Sequence, residues 1–162
     1  MNTYGVTANL ENSLKYFLET EITNDSVTDI SGDVIPVYIG WKETDDWNVP
    51  CIAIHVDSMT NTKEYLGTNV TLDRRLIIID VFAENELERE NLADWLTETL
   101  TDGWTYYTYT VNVNTPLTPT KTSAGKVAVD FVSNTKVNLG PNVSVFDQHR
   151  HRITLTAWVI LS

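Results

Sequence analysis

The sequence predicts an α+β fold: a mostly antiparallel, mixed sheet with two helices packed on one of its faces, in the order α-β-β-β-α-β-β-β. Three observations predict it. Two segments carry apolar residues at helical spacing, six others alternate or run apolar at strand length, and the two kinds are not strictly interleaved. The length of 162 residues suits one domain spanning 1–162, and no repeat, low-complexity tract or linker divides it.

The first helix is expected from Thr7 or Asn9 to Glu21. Leu10, Leu14, Phe17, Leu18 and Ile22 fall at i, i+4, i+7, i+8 and i+12, one stripe on a helical surface, while Glu11, Asn12, Lys15 and Glu19 take the other side. The second helix has clearer boundaries. Asn85 can cap it, with Glu88 three residues on in a capping-box arrangement. Glu86 and Glu88 complement the positive end of its dipole. Leu92, Trp95, Leu96, Thr99 and Leu100 form its expected buried face, and Asp102-Gly103 ends it.

Strands are expected at Val34–Trp41, Cys51–Asp57, Arg75–Ala83, Thr105–Val113, Lys126–Val137 and His151–Leu161. Leu76-Ile77-Ile78-Ile79-Asp80-Val81-Phe82 is apolar on both faces and so central. Two helices cover one face of such a sheet. Leu76, Ile78, Phe82, Trp158 and Ile160 point to the other, which leaves apolar surface for a partner. Two long polar connections, Asp57–Thr71 and Asn114–Gly125, read as loop arms that dock on a neighbouring subunit. Met59, Lys63, Tyr65 and Leu66 in the first and Leu117 and Lys121 in the second are the expected contacts, together with Leu76, Ile78 and Phe82 of the sheet.

Chemistry is sparse. Cys51 is the single cysteine, which excludes an internal disulfide and any cysteine-based zinc site. It sits in an apolar run and reads as a buried hydrophobe. His149 and His151 share a strand face, but Arg150 and Arg152 beside them repel a cation, so no metal is expected; the pair reads as a basic strand start meeting an acidic neighbour. Asp45-Asp46 reads as a solvated turn. Asp80, inside the most apolar strand, is expected to pair with Arg74 or Arg75. No GxSxG, HExxH or phosphate-cradling glycine loop occurs, and neither an enzyme nor a cofactor is expected.

There are 22 acidic and 11 basic residues, for a net charge of −11, which argues against wrapping nucleic acid. The first residues contain neither a basic region nor an apolar stretch, and apolar runs are too short to span a bilayer. Synthesis and folding in a reducing cytoplasm, with no membrane partner, are expected.

Arg74-Arg75-Leu76-Ile77-Ile78-Ile79-Asp80-Val81-Phe82-Ala83 followed by Glu88-Arg89-Glu90-Asn91-Leu92-Ala93-Asp94-Trp95-Leu96 resembles tail terminator, or tail completion, proteins of long-tailed bacteriophages. So do Val49-Pro50-Cys51-Ile52-Ala53-Ile54-His55-Val56 and the helix-first order of elements. The likeness covers most of the chain as architecture and is loose as sequence. It implies a homohexameric ring in the neck of the virion, capping the tail tube protein and meeting the head–tail connector. It implies no enzyme activity, and genomic DNA passing through the ring without specific binding. Another neck, connector or tail tube subunit is the alternative within the same particle; a small enzyme or ligand-binding domain using Asp80, His55 or the His149–His151 pair is the alternative of another class.

Overall fold

A computed structural model describes residues 2–40, 48–57, 63–66, 70–112, 115–137 and 149–161, with backbone only at 2, 63–66, 70–72, 112 and 115–117. The elements in chain order are β1 (Asn2–Thr3), α1 (Val6–Asn24), β2 (Val37–Ile39), β3 (Cys51–Asp57), β4 (Lys63–Leu66), β5 (Val70–Phe82), α2 (Glu86–Leu100), β6 (Trp104–Asn112), β7 (Thr115–Val137) and β8 (Arg150–Leu161). Leaving aside the two-residue β1 and the short β4, the order is the expected α-β-β-β-α-β-β-β. The strands form one mixed sheet in the order β1-β6-β7-β8-β5-β3-β2, with β4 also on β5. Every pairing is antiparallel except β2 with β3.

Period-2 alternation puts one apolar set under the helices. Ile52, Ile54 and Val56 of β3, Ile77, Ile79 and Val81 of β5, and Ile153, Leu155, Ala157 and Val159 of β8 meet Leu10, Leu14, Leu18 and Ile22 of α1 and Leu92, Leu96 and Leu100 of α2. Both helices therefore cover the same face. β5 is central as its apolar run required, with β8 along one edge and β3 then β4 along the other.

α1 starts earlier than expected, with Gly5 at its N-cap, and runs to Asn24. Asn9, one of the two expected starting residues, lies inside the helix and reaches the sheet: its Oδ1 accepts from the Tyr109 N–H at 3.0 Å and its Nδ2 donates to the Tyr4 carbonyl at 3.1 Å. Ser13 Oγ accepts from the Tyr107 N–H at 2.9 Å. These two buried polar side chains satisfy donors on the outer edge of β6 that strand pairing leaves open, which accounts for polar residues on an apolar stripe. α2 keeps its expected start: the Glu88 N–H donates to Asn85 Oδ1 at 2.9 Å, and Glu88 Oε2 accepts from the Glu84 N–H at 2.9 Å.

The two arms are not loops throughout. The segment 63–66 is strand β4, paired with residues 70–73 of β5. The expected loop Asn114–Gly125 is, from Thr115 onward, the first half of β7. Its threonines favour extended backbone over a turn, and its prolines 116 and 119 fall where the ladder to β6 is irregular. At Gly125 β7 changes partner: it pairs with β6 up to Val127 and with β8 from Gly125 on. A Cβ at Gly125, where φ is +154°, would stand 2.0 Å from the Ile160 carbonyl oxygen, so glycine is the residue that lets three strands meet there. The expected strand Val34–Trp41 is shorter, Val37–Ile39, and Trp41, Asp45 and Asp46 lie outside the described residues. No helix among the described residues is long and apolar enough to cross a membrane.

Candidate interaction surfaces

The face of the sheet away from the helices is built from cross-strand rows. Cys51 of β3, Phe82 of β5 and Arg150 of β8 form one row; Ala53, Asp80 and Arg152 the next; then His55, Ile78 and Thr154; then Asp57, Leu76 and Thr156; then Arg74 and Trp158. The two ends of this face differ. At the β5 C-terminal end Cys51, Ala53 and Phe82 are buried, with Tyr38 and Val49 packed on them. At the other end Ile160 is exposed, while Leu76, Ile78 and Trp158 are half-buried; the next residue, Leu161, is exposed but alternates to the helix side.

Phe82, expected as an exposed contact, is thus a correction: 3% of its surface is accessible and it packs in this second apolar cluster with Arg150 above its ring at 5.3 Å. Burial pushes the Cys51 thiol up to about 12, which removes it as a nucleophile at neutral pH and supports the reading of a small buried hydrophobe.

Asp80 is fully buried, and its partners are Arg150 and Arg152, not Arg74 or Arg75. Each arginine reaches it in a fork: Arg150 Nε and Nη2 donate at 3.1 Å each, and Arg152 Nε and Nη2 at 2.9 and 3.1 Å. The antiparallel register explains the error. Asp80 is paired with Arg152, with Arg150 two residues away on the same face, whereas Arg75 points to the helix side and bonds Asp73 at 3.1 Å. The basic start of β8 does meet an acidic neighbour. Two arginines on one carboxylate form a structural clamp between β5 and β8, with no open position for a substrate.

His151 faces the helices. Its ring is buried, Nε2 is bonded to Asn134 Oδ1, and Nδ1 has no partner within the described residues. Burial, then the nearby Arg89 charge, holds its pKa below the ordinary histidine range. A depressed histidine keeps its contribution above the unfolded value near 6.5 and loses it as pH falls through the lower folded value. We therefore expect the melting temperature of the wild type to drop between pH 7 and pH 5 by more than that of His151→Gln. Parallel pH profiles for the two proteins would show that this ring does not titrate with unfolding. Among the described residues no three His, Cys, Asp or Glu side chains come together as a metal site would require.

Lys121 lies against α1, not on a free arm. Its Nζ sits 3.0 Å from the Tyr16 ring centroid and 4.7 Å from that of Tyr107, and the two rings meet edge to face at 5.7 Å. Leu76 and Ile78 lie on the outer face as expected. Lys63, Tyr65 and Leu66 are placed on strand β4 and Leu117 on β7, while Met59 is outside the described residues.

A feature not read from the sequence lies at the β5 C-terminal end of the molecule. The turn after α1 and the start of α2 enclose a hollow of about 380 Å³ floored by Ile35, Leu92 and Trp95. Beside it Ile30, Val34 and Leu87 are exposed to 84%, 67% and 68%. The turn is braced: Asp29 Oδ1 accepts from the N–H groups of Ser31 and Asp33 at 2.8 Å each, and Thr28 bridges to Val34. Asp29 followed by Gly32-Asp33 was the sequence signal for this turn, but nothing local shows that Ile30 is held outward. Searches against protein-family models and against curated proteins match this chain to nothing.

Proposed function

We propose that the chain is a structural protein of a long-tailed bacteriophage virion, a tail terminator that forms a homohexameric ring, caps the tail tube and meets the head–tail connector. The observation that carries this reading is architectural. The segments that resemble the family fall on one connected unit, β3, β5 and the helix α2 that follows β5, in the helix-first order the resemblance requires. Two further features support it. The polar groups that sequence reading offered as chemistry have structural employment: Asp80 is clamped, Cys51 is buried and His151 is packed under α2. The β6–β7 pair also extends past the end of β8 as a structured arm, and β4 with β5 reaches two residues beyond β5's last pair with β8. In such a ring the net charge of −11 lets DNA pass without adhering.

The test is genetic and visual. A phage lacking this chain should give filled heads without joined tails and tails of uncontrolled length, and a map of the wild-type neck should hold six copies of this fold. Normal particles in the deletion, or a single copy at the neck, would end the reading.

A further inference from the structure

We propose that the turn after α1 and the start of α2 dock a short basic segment of a different protein, one that carries a large apolar side chain beside lysine or arginine. The inference is independent of the ring reading. Among the described residues the three most exposed large apolar side chains are Ile30, Leu87 and Val34, and all three stand here. Single exposed apolar residues are ordinary; three around one concave site mark a contact surface. Ile30 and Leu87 border the hollow floored by Ile35, Leu92 and Trp95, and Val34 borders a second hollow of about 530 Å³ that shares Asp29 and Ile35 with the first.

The two hollows differ in chemistry. The first has an apolar floor, and its 380 Å³ lies within the roughly 300–1,000 Å³ of pockets that enclose an organic group. The second is bordered by Asp33, Glu84 and Asn48 beside its apolar residues. The charged residues lining the pair are Asp29, Asp33, Glu84 and Glu88, and no Lys or Arg lines either among the described residues. Asp25 adds a further carboxylate nearby, accepting the Trp95 Nε1–H at 2.9 Å. Backbone N–H groups engage Asp29 Oδ1 and Glu88 Oε2, so Asp33 and Glu84, both exposed, are the carboxylates offered to an incoming cation. An apolar side chain in the first hollow with an ammonium or guanidinium at the second buries surface and matches charge in one contact.

Other occupants fit less of this. A small molecule would fill the first hollow and leave Ile30, Leu87 and Val34 in water, whereas a segment lying across the site covers them. A second copy seated by the same patch would set acid against acid, in a chain with 22 acidic and 11 basic residues. Nucleic acid and anionic lipid are repelled for the same reason.

A peptide titration tests the proposal. Isotope-labelled full-length protein receives short capped peptides in which a leucine or phenylalanine and lysines are set at varied spacing on a Gly-Ser backbone. At low ionic strength at least one spacing should shift the Trp95 indole N–H and the Ile30 and Leu87 methyl resonances saturably. The same peptide with glutamate for lysine, or alanine for the apolar residue, should bind several-fold more weakly. Asp33→Asn combined with Glu84→Gln should weaken binding several-fold and flatten its salt dependence, while Asp29 is kept because it braces the turn. Ile30→Ser combined with Leu87→Ser should also weaken binding several-fold, with the circular dichroism of both variants unchanged. No saturable shift at any spacing overturns the proposal, and so does equal binding of the glutamate or alanine peptides. Benzylammonium binding as well as the peptides and indifferent to Ile30→Ser would make the first hollow a small-molecule site and overturn it too. Self-association of the chain that is lost in Ile30→Ser would seat a second copy there, with the same consequence. None of these results bears on how many copies stand at a virion neck, so the two readings fail separately.

Discussion

Asp80→Asn should lower stability by about 3–5 kcal/mol, the cost of leaving buried cations without their counter-charge. At this chain length that is a drop of roughly 6–20 °C in melting temperature. The carboxylate accepts four N–H groups from two guanidiniums, and an amide can replace neither its charge nor its second acceptor oxygen. Arg152→Met should cost less, because the Arg152 side chain is 35% exposed and its removal leaves Asp80 held by the better-buried Arg150. Thermal melts of the three proteins decide the matter. Equal losses for both variants, or no loss for Asp80→Asn, would mean that the clamp contributes nothing beyond its packing.

Leu96→Ala should cost about 2–5 kcal/mol through lost burial and the cavity left behind. Leu96 is fully inaccessible and belongs to the cluster that joins α2 to the sheet through Ile153 and Leu155. Backbone neighbours on a regular sheet cannot move in to fill the gap, which places the cost away from the low end of that range. Denaturant unfolding gives the number, with an unchanged slope as the check that the unfolded state is the same. A midpoint equal to the wild type would mean that this helix face is misassigned.

Local patterns were enough for the helices, the central strand and the common face they bury, because each depends on side-chain period within one segment. Ile77, Ile79 and Val81 declare their face wherever β5 sits. What sequence reading missed depended on partners distant along the chain. Asp80 was matched to neighbours in sequence, but its cations arrive from β8 by register. Phe82 was counted as exposed because its strand alternates, yet a second cluster around Cys51 encloses it. Asn9 looked like a helix start and proved to be a side chain satisfying the edge of another element. The Thr- and Pro-rich segment after Asn114 looked like a loop by composition, and pairing with β6 made it a strand. The surface around Ile30 was invisible because Asp29, Gly32 and Asp33 announce a turn without showing that α2 stands beside it; the hollow exists only where the turn and the start of α2 meet in space.

The continuity of β7 has a mechanical consequence. Its first half belongs to the hairpin with β6, and its second half lies along β8 in twelve register pairs from Gly125 to Val137. A pull on the hairpin tip directed along the strand therefore travels through an unbroken backbone into that second ladder and loads it in shear. Hydrogen bonds loaded in shear share the force and must fail together, whereas bonds at the end of a peeled strand fail one at a time. The hairpin can thus bear tension applied along its length without first being stripped from the sheet.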